Sequence, residues 1–264
     1  MSSSKAGSLV IVGFGIHLGR DLTERAKSEI AAADRVFCLV DPLALAHIKQ
    51  LRPDVISLHT CYGDGKDRRI TYREMEAAMV EAVQAGERVC AVFYGHPGVF
   101  ADAPHRAIRA LQAEGFRAQM QPGISAEACL YADLGIDPGK SGVNSMEATQ
   151  FLVFNRIIDP TALLLLWQVG IVGDTTCTQL FTTEARLQTL VSKLLRWYPP
   201  EQEVILYEAA QVAIQTPRIE RMKLQDLPKA RTTQITTLVI PPAIELGPDY
   251  AALAALGVTP DDLR

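Results

Sequence analysis

A chain of 264 residues with 48% apolar and 21% charged side chains can bury a core as one large domain or two modest ones, without disulfide or metal staples. That balance excludes disordered, collagenous and coiled-coil classes. A net charge of −4, with Lys and Arg scattered along the chain, announces no phosphate-tracking surface, so nucleic acid is not an expected partner. No apolar run approaches the roughly 20 residues of a membrane span, and only Leu9 to Val12 stands where a signal peptide carries a longer stretch. No membrane partner is expected, and the chain reads as cytoplasmic. Cys38, Cys61, Cys90, Cys129 and Cys177 form an odd set without a C-x-x-C pair and read as reduced core residues. His17, His47, His59, His96 and His105 show no ligand spacing, so no metal site is expected.

The predicted elements begin with a strand at 9–12, a helix at 22–34, a strand at 35–40 and another at 55–58, a β-α-β rhythm. A helix from about Thr71 places Tyr72, Met75, Met79 and Val83 on one face; strand 88–94, helix 104–115 and strand 116–120 follow, with Gly86 and Gly115 at helix C-caps. Gln121, Pro122 and Gly123 break the alternation, and the domain boundary is placed there. Beyond it lie a helix at 125–134, a strand at 163–170, a helix at 185–198 and strands at 203–207, 217–224 and 235–240. The expected fold class is two-domain α/β: an N-terminal α/β domain over 1–121 with a mostly parallel sheet, a C-terminal mixed α/β domain over 122–245 with flanking helices, and a helical tail over 246–264. Residues 1–6 are expected to be mobile.

Four segments could carry chemistry. Gly13, Gly15 and Gly19 open the first helix, which suits a ligand approaching backbone; with Asp41 after the second strand they imitate a dinucleotide site, but the spacing is G-x-G-x-x-x-G, and a plain tight turn is the better reading. YGHPGVF, Tyr94 to Phe100, sits at the strand edge where ligands collect, although His96 alone reads as a ring bonded to backbone. In CYGDGKDRRITY, 61–72, a solvated loop is the bland reading; yet Arg68 and Tyr72 stand four apart, so a helix beginning one turn early puts them on one face with Tyr62 nearby. An arginine beside a phenol lowers its pKa from about 10 and suits proton abstraction. QPGISA, 121–126, feeds a helix N-terminus that either greets a polar ligand or is capped by Ser125.

These pieces in this order resemble the tetrapyrrole methylase superfamily of S-adenosylmethionine (SAM) enzymes: a glycine turn after the first strand, a Gly-x-Pro turn after the fourth and P-G-I-S at the hinge. YGHPGVF, HRAI (105–108), PGISAE (122–127), ADLGIDP (132–138), LLLLWQVG (163–170) and IPP (240–242) resemble one branch more closely, the borosin peptide backbone α-N-methyltransferases, from about Ser8 to Pro242. The resemblance implies a tetrapyrrole-methylase-like fold, SAM bound in the cleft between domains, and a homodimer. It puts the catalytic pair on Arg68 and Tyr72, with Tyr62 and Tyr94 lining the reacting amide. It puts SAM contacts on Tyr94, His96, Val99, Phe100, Ser125, Ala126, Gln168 and Tyr207, and on the backbone near Thr236 and Thr237. Two departures count against porphyrinoid chemistry: GFGIHLGRD lacks the G-x-G-P-G-D form of the tetrapyrrole enzymes, and His96 replaces their Asp.

Fused borosin enzymes carry their target as a C-terminal extension, whereas no Val/Ile-rich core follows AALAAL here, so the precursor peptide is expected in trans, with two precursors on a dimer making a heterotetramer. The expected chemistry is removal of the amide proton by Tyr72 with help from Arg68, while Tyr62, Tyr94 or Arg68 donates to the carbonyl. Three rivals stand beside it: a tetrapyrrole or other small-molecule SAM methyltransferase, a non-catalytic protein binding SAM or a leader peptide, and an NAD-dependent oxidoreductase whose ribose-binding acid Asp41 only imitates.

Overall fold

In the computed structural model, residues 6–63, 65–175, 178–179 and 181–263 are described. Met1 to Lys5, within the segment expected to be mobile, and Cys177 lie outside them. The first sheet is built from β1 (Ser8–Gly13), β2 (Arg35–Leu39), β3 (Ile56–Ser57), β4 (Arg88–Phe93) and β5 (Arg117–Met120). Its five strands run in the order β3-β2-β4-β1-β5, all parallel. Because strand side chains alternate, Leu9 and Ile11 of β1 enter one apolar layer and Val12 enters the other. The first layer joins Leu9, Ile11, Val89 and Phe93 to Met75, Met79 and Val83 of α3 (Arg68–Gln84) and Leu111 of α4 (Asp102–Ala113). The second joins Val12, Val36 and Val92 to Ile30 of α1 (Glu24–Ala32) and Ile48 of α2 (Pro42–Leu51). Cover on both faces is why these strands read as continuous apolar runs.

The second sheet takes β6 (Val143–Glu147), β7 (Leu163–Trp167), β8 (Glu203–Glu208), β9 (Arg218–Lys223) and β10 (Thr237–Ile240) in the order β6-β7-β10-β8-β9. Only β6 and β7 pair in parallel; the other neighbours are antiparallel. Leu164, Leu166, Val204, Leu206 and Leu238 pack on α6 (Ala148–Val153) and α7 (Glu184–Leu194), while Leu165, Ile205, Tyr207 and Val239 meet Leu130 of α5 (Ala126–Leu134). Lys193 is an exception inside the first of these layers. Its side chain is buried because Nζ donates to the carbonyls of Phe151 at 2.6 Å, Leu152 at 2.9 Å and Phe154 at 2.6 Å, the unpaired end of α6. The tail carries α8 (Tyr250–Leu256), capped by Asp249, whose Oδ1 accepts from Ala251 N and Ala252 N.

Several elements differ from expectation. The strand expected at 55–58 shrinks to Ile56–Ser57 and passes into a 3-10 turn, Leu58–Cys61. α3 starts at Arg68, a turn earlier than Thr71, because Asp67 caps it, accepting from Arg69 N at 2.8 Å. The strand expected to reach 170 stops at Trp167, since Gln168 turns into the left-handed region with φ 58. α2, β6 and α6 were not anticipated from the sequence.

Candidate active site

The C-terminal ends of β1 and β4 and the turn after β5 meet through three glycines. A Cβ on Gly13 would stand 2.3 Å from Gly95 O and 3.0 Å from Gly123 Cα; one on Gly123 would stand 2.8 Å from the same oxygen. The first, fourth-strand and hinge motifs therefore interlock backbone to backbone. Gly15 and Gly95 bridge the first two reciprocally, N to O at 3.3 and 3.0 Å. Asp21 folds the glycine loop on itself, Oδ2 accepting from Ile16 N at 2.9 Å and His17 N at 2.8 Å. The loop after β4 is pinned from both sides: His96 Nδ1 accepts from Gly98 N at 3.0 Å, and His105 Nε2 donates to Gly98 O at 2.9 Å. The backbone-bonded reading of His96 is thus what the structure has, and the ring also lines the cavity. Ser125 caps α5, its Oγ accepting from Ala128 N at 3.2 Å.

Above this junction lies a cavity of about 460 Å³ with walls from both sheets, within the range of small-molecule sites. Arg68, Tyr72, Tyr62 and Tyr94 all line it. So do His96, Val99, Phe100, Ser125 and Ala126, and from the second sheet Gln168, Tyr207 and Thr237. Thr236 is not on the wall; it is fully buried behind it, its carbonyl accepting from Val169 N at 3.0 Å. Among the described residues only Phe100 and Gln168 are non-glycine with positive φ, 51° and 58°, and both line the cavity. Backbone strain of this kind gathers at functional sites. Trp167, Asp102, Glu127, Gln234 and Ile235, none of them singled out from the sequence, share the wall, as does Asp41. Trp167 and Glu127 sit inside motif strings already singled out, LLLLWQVG and PGISAE, and that adjacency was the available signal.

The early start of α3 brings Arg68 to the cavity, where its guanidinium carbon stands 4.7 Å over the Tyr62 ring. The stacking partner is Tyr62, on the loop before the helix. Burial pushes the Tyr62 phenol above its ordinary pKa, the neighbouring Tyr72 adds to this, and Arg68 opposes both without prevailing. The expected lowering of a phenol by arginine therefore does not occur at this ring, because desolvation is the larger effect. Burial likewise raises Tyr94. Tyr207 is raised by burial and by donating its OH to Asp133 Oδ2 at 2.7 Å. Glu127 accepts from Tyr131 OH at 2.7 Å and Ser145 Oγ at 2.8 Å, and Ser145 in turn accepts from Trp167 Nε1 at 2.8 Å. Three acidic residues, Asp41, Asp102 and Glu127, line the cavity with one guanidinium residue, Arg68; Asp41 is engaged as the cap of α2, and Asp102 stands 3.8 Å from Arg106. Outside the wall, the glycine loop brings His17 and Asp21 together with Cys129, donor atoms within 4.8 Å of one another, a grouping that sequence spacing did not reveal; Asp21 is already engaged by two backbone amides.

A parallel sheet and a mixed sheet meet at this cavity, and residues 8–228 match the family model for tetrapyrrole (corrin/porphyrin) methylases. The chain belongs to that family. It is 38% identical over 246 residues to a methyltransferase/ribosomally synthesized cyclic peptide gymnopeptides precursor of Gymnopus fusipes, covering 91% of this chain and 59% of the relative. It is 39% identical over 246 residues to the corresponding omphalotin A precursor of Omphalotus olearius, with the same coverage. With a type III borosin cyclic peptide precursor of Anomoporia bombycina it shares 39% over 243 residues, 90% of this chain and 28% of the relative. The chain thus spans about three fifths of the first two relatives. The crystal structure of uroporphyrin-III-C-methyltransferase from Thermus thermophilus superposes with a TM-score of 0.65 at 19% identity, covering 93% of this chain and 99% of that one, a likeness of fold. No helix among the described residues is long and apolar enough to cross a membrane.

Proposed function

We propose that this chain is a SAM-dependent methyltransferase that N-methylates backbone amides of a precursor peptide supplied as a separate chain. The observation that carries the reading is the meeting, in one cavity, of Arg68, Tyr72, Tyr62 and Tyr94 beside the apolar side chains Leu39, Met75 and Phe93. The relatives named as methyltransferase/cyclic peptide precursors support the same substrate class. Further parts of the proposal are a homodimer, a complex holding two precursors and a cytoplasmic location; light scattering on the purified protein with and without peptide checks the stoichiometry.

The walls fit SAM: aromatic faces at Tyr94, Phe100, Trp167 and Tyr207 suit a purine and a sulfonium, and Ser125, Ala126 and Gln168 supply polar backbone edges. When bound, SAM supplies an electrophilic methyl group. What the chain must do is make an amide nitrogen nucleophilic, although its lone pair is shared with the carbonyl through a conjugation whose rotation barrier is about 18 to 20 kcal/mol. Tyr62 and Tyr94, kept neutral by burial, donate to the carbonyl oxygen. Tyr72, next to Arg68 along one helix face, takes the amide proton in its phenolate form and is left as a phenol. Water exclusion by Leu39, Met75 and Phe93 keeps these bonds strong, and fixing the peptide in place contributes the orientation effect.

The test is co-expression with candidate precursors followed by tandem mass spectrometry for methyl gains on backbone nitrogens. Tyr72→Phe and Arg68→Ala should each lower turnover by about 10² to 10⁴-fold while S-adenosylhomocysteine still binds by calorimetry. Retained turnover in both variants removes them from the chemistry. Changes at Ser125 or Gln168 should weaken SAM affinity first. Methylation of a tetrapyrrole or another small acceptor in place of peptide would overturn the substrate assignment.

A further inference from the structure

Gln234 and Ile235 form part of the cavity wall but belong to no strand; they lie on the strap between β9 and β10 that runs into Thr237. What holds this strap is a carboxylate outside the cavity. Glu208, the last residue of β8, has a side chain only 15% exposed. Its Oε1 accepts from Arg218 Nη1 at 2.9 Å, from Thr233 Oγ1 at 2.9 Å and from Thr236 Oγ1. Thr236 Oγ1 also accepts from Thr233 N at 2.7 Å, so the two threonines close the strap on itself. Arg218 extends the clamp, Nη2 donating to Arg231 O and Glu220 Oε2, each at 2.6 Å.

The strap is also pressed against the turn after β7. Val169 N donates to Thr236 O at 3.0 Å, and a Cβ on Gly170 would stand 1.9 Å from Thr233 O, so no side chain fits between turn and strap. That turn carries Gln168 in its left-handed conformation, on the same wall. One carboxylate therefore organises three wall residues from two segments while touching none of the cavity itself. We infer that Glu208 is a positioning residue for the cofactor side of the cavity, acting through the Thr233 and Thr236 hydroxyls on Gln234, Ile235 and Gln168. A neutral amide in its place keeps one acceptor but loses the charge that makes these bonds strong and the partner of Arg218. Removing that charge leaves Arg218 with Glu220, a half-exposed carboxylate, as its remaining ionic partner.

The ligand in this inference rests on the SAM reading, but the positioning claim has its own readout. Hydrogen exchange on the free protein compares wild type with Glu208→Gln, Thr236→Val and Thr236→Ser. The Val169 amide should exchange at least ten-fold faster in Glu208→Gln and in Thr236→Val, and at the wild-type rate in Thr236→Ser, which keeps the hydroxyl. By calorimetry the dissociation constant for S-adenosylhomocysteine should rise at least ten-fold in the first two and recover in Thr236→Ser. In turnover, KM for SAM should rise by more than kcat falls. Unchanged Val169 exchange in Glu208→Gln and Thr236→Val overturns the inference, as does equal weakening in Thr236→Ser and Thr236→Val, which would mark a packing role. If Glu208→Gln fails to fold, Thr233→Val against Thr233→Ser, at an exposed position, carries the same comparison. Wild-type protein that binds no S-adenosylhomocysteine yet shows the exchange pattern removes the cofactor reading and leaves the positioning role standing.

Discussion

Gly13→Ala places one methyl group where three motif turns touch. Its Cβ would lie 2.3 Å from Gly95 O, and to reach even 3.0 Å that oxygen must retreat by about 0.7 Å. The bond from Gly15 N to the same oxygen is already 3.3 Å long, so the retreat breaks it and loosens the bridge that sets Ile16, Tyr94 and His96 on the cavity wall. The methyl itself has no room to move aside, since Gly123 Cα and the Pro97 ring each stand 3.0 Å from it. Overpacking of this kind costs about 1 to 3 kcal/mol, which for a chain of this size is a fall of about 5 °C in Tm. The geometric consequence should exceed the thermodynamic one: calorimetry should show cofactor affinity reduced by more than the stability loss implies, because the shifted atoms carry the wall. Gly247→Ala is the control, since nothing lies within 4 Å of its added methyl. Wild-type Tm and wild-type S-adenosylhomocysteine affinity in Gly13→Ala would refute the interlock as the device that shapes the site.

Lys193→Met should destabilise the fold by about 3 kcal/mol in urea unfolding, since it strands the three carbonyls that the ammonium satisfies inside an apolar layer. On alkaline titration, phenolate absorbance should lag behind that of free tyrosine, because Tyr62, Tyr94, Tyr131, Tyr198 and Tyr207 are all raised, chiefly by burial. The folded protein then holds more protons than the unfolded chain, so stability should be flat up to about pH 10 and fall above it; stability that rises over that range would contradict the burial of these rings. Among the described cysteines, iodoacetamide at neutral pH should label Cys61 first, as burial holds Cys38 and Cys129 at about 11 and Cys90 at about 12; mass mapping of the labelled peptides checks the order.

The parallel sheet was legible because both of its faces are covered: β1, β2 and β4 each present an apolar run that no half-exposed strand would show. The segment from 143 to 153 was not. β6 is an edge strand, VNSME, whose residues are all exposed or half-buried, and α6 has only six residues, too short for periodicity to register. α2 hid behind Asp41-Pro42, a pair that looks like a turn but is an N-cap followed by proline at the first helical position. The site was legible where chemistry sits in motif strings and illegible where it depends on distant pairing. Arg68 and Tyr72 share a helix face that spacing predicts, whereas the Arg68–Tyr62 stack depends on how the loop before α3 folds. Thr236, expected to contact SAM through nearby backbone, lies behind the wall, its hydroxyl turned to a carboxylate 28 residues earlier in the chain.

That last distinction bears on how the four site residues divide the work. A guanidinium over the face of a phenol interacts with the ring's quadrupole, so it holds the ring in place more than it ionises the hydroxyl. Desolvation then dominates, and Tyr62 remains a proton donor. Tyr94 is a donor for the same reason, with the end of β2 fixing its backbone: Tyr94 N donates to Leu39 O at 3.1 Å. Two neutral donors on one wall are what a carbonyl oxygen gaining charge requires, and neither can also accept the amide proton in the same step. Under the proposed mechanism the base is then a different group, and of the four that leaves Tyr72, since a guanidinium has no acceptor. On the proposed reading Arg68 serves twice, by holding the Tyr62 ring and by setting positive charge one helical turn from Tyr72, where the base must carry negative charge before it takes the proton.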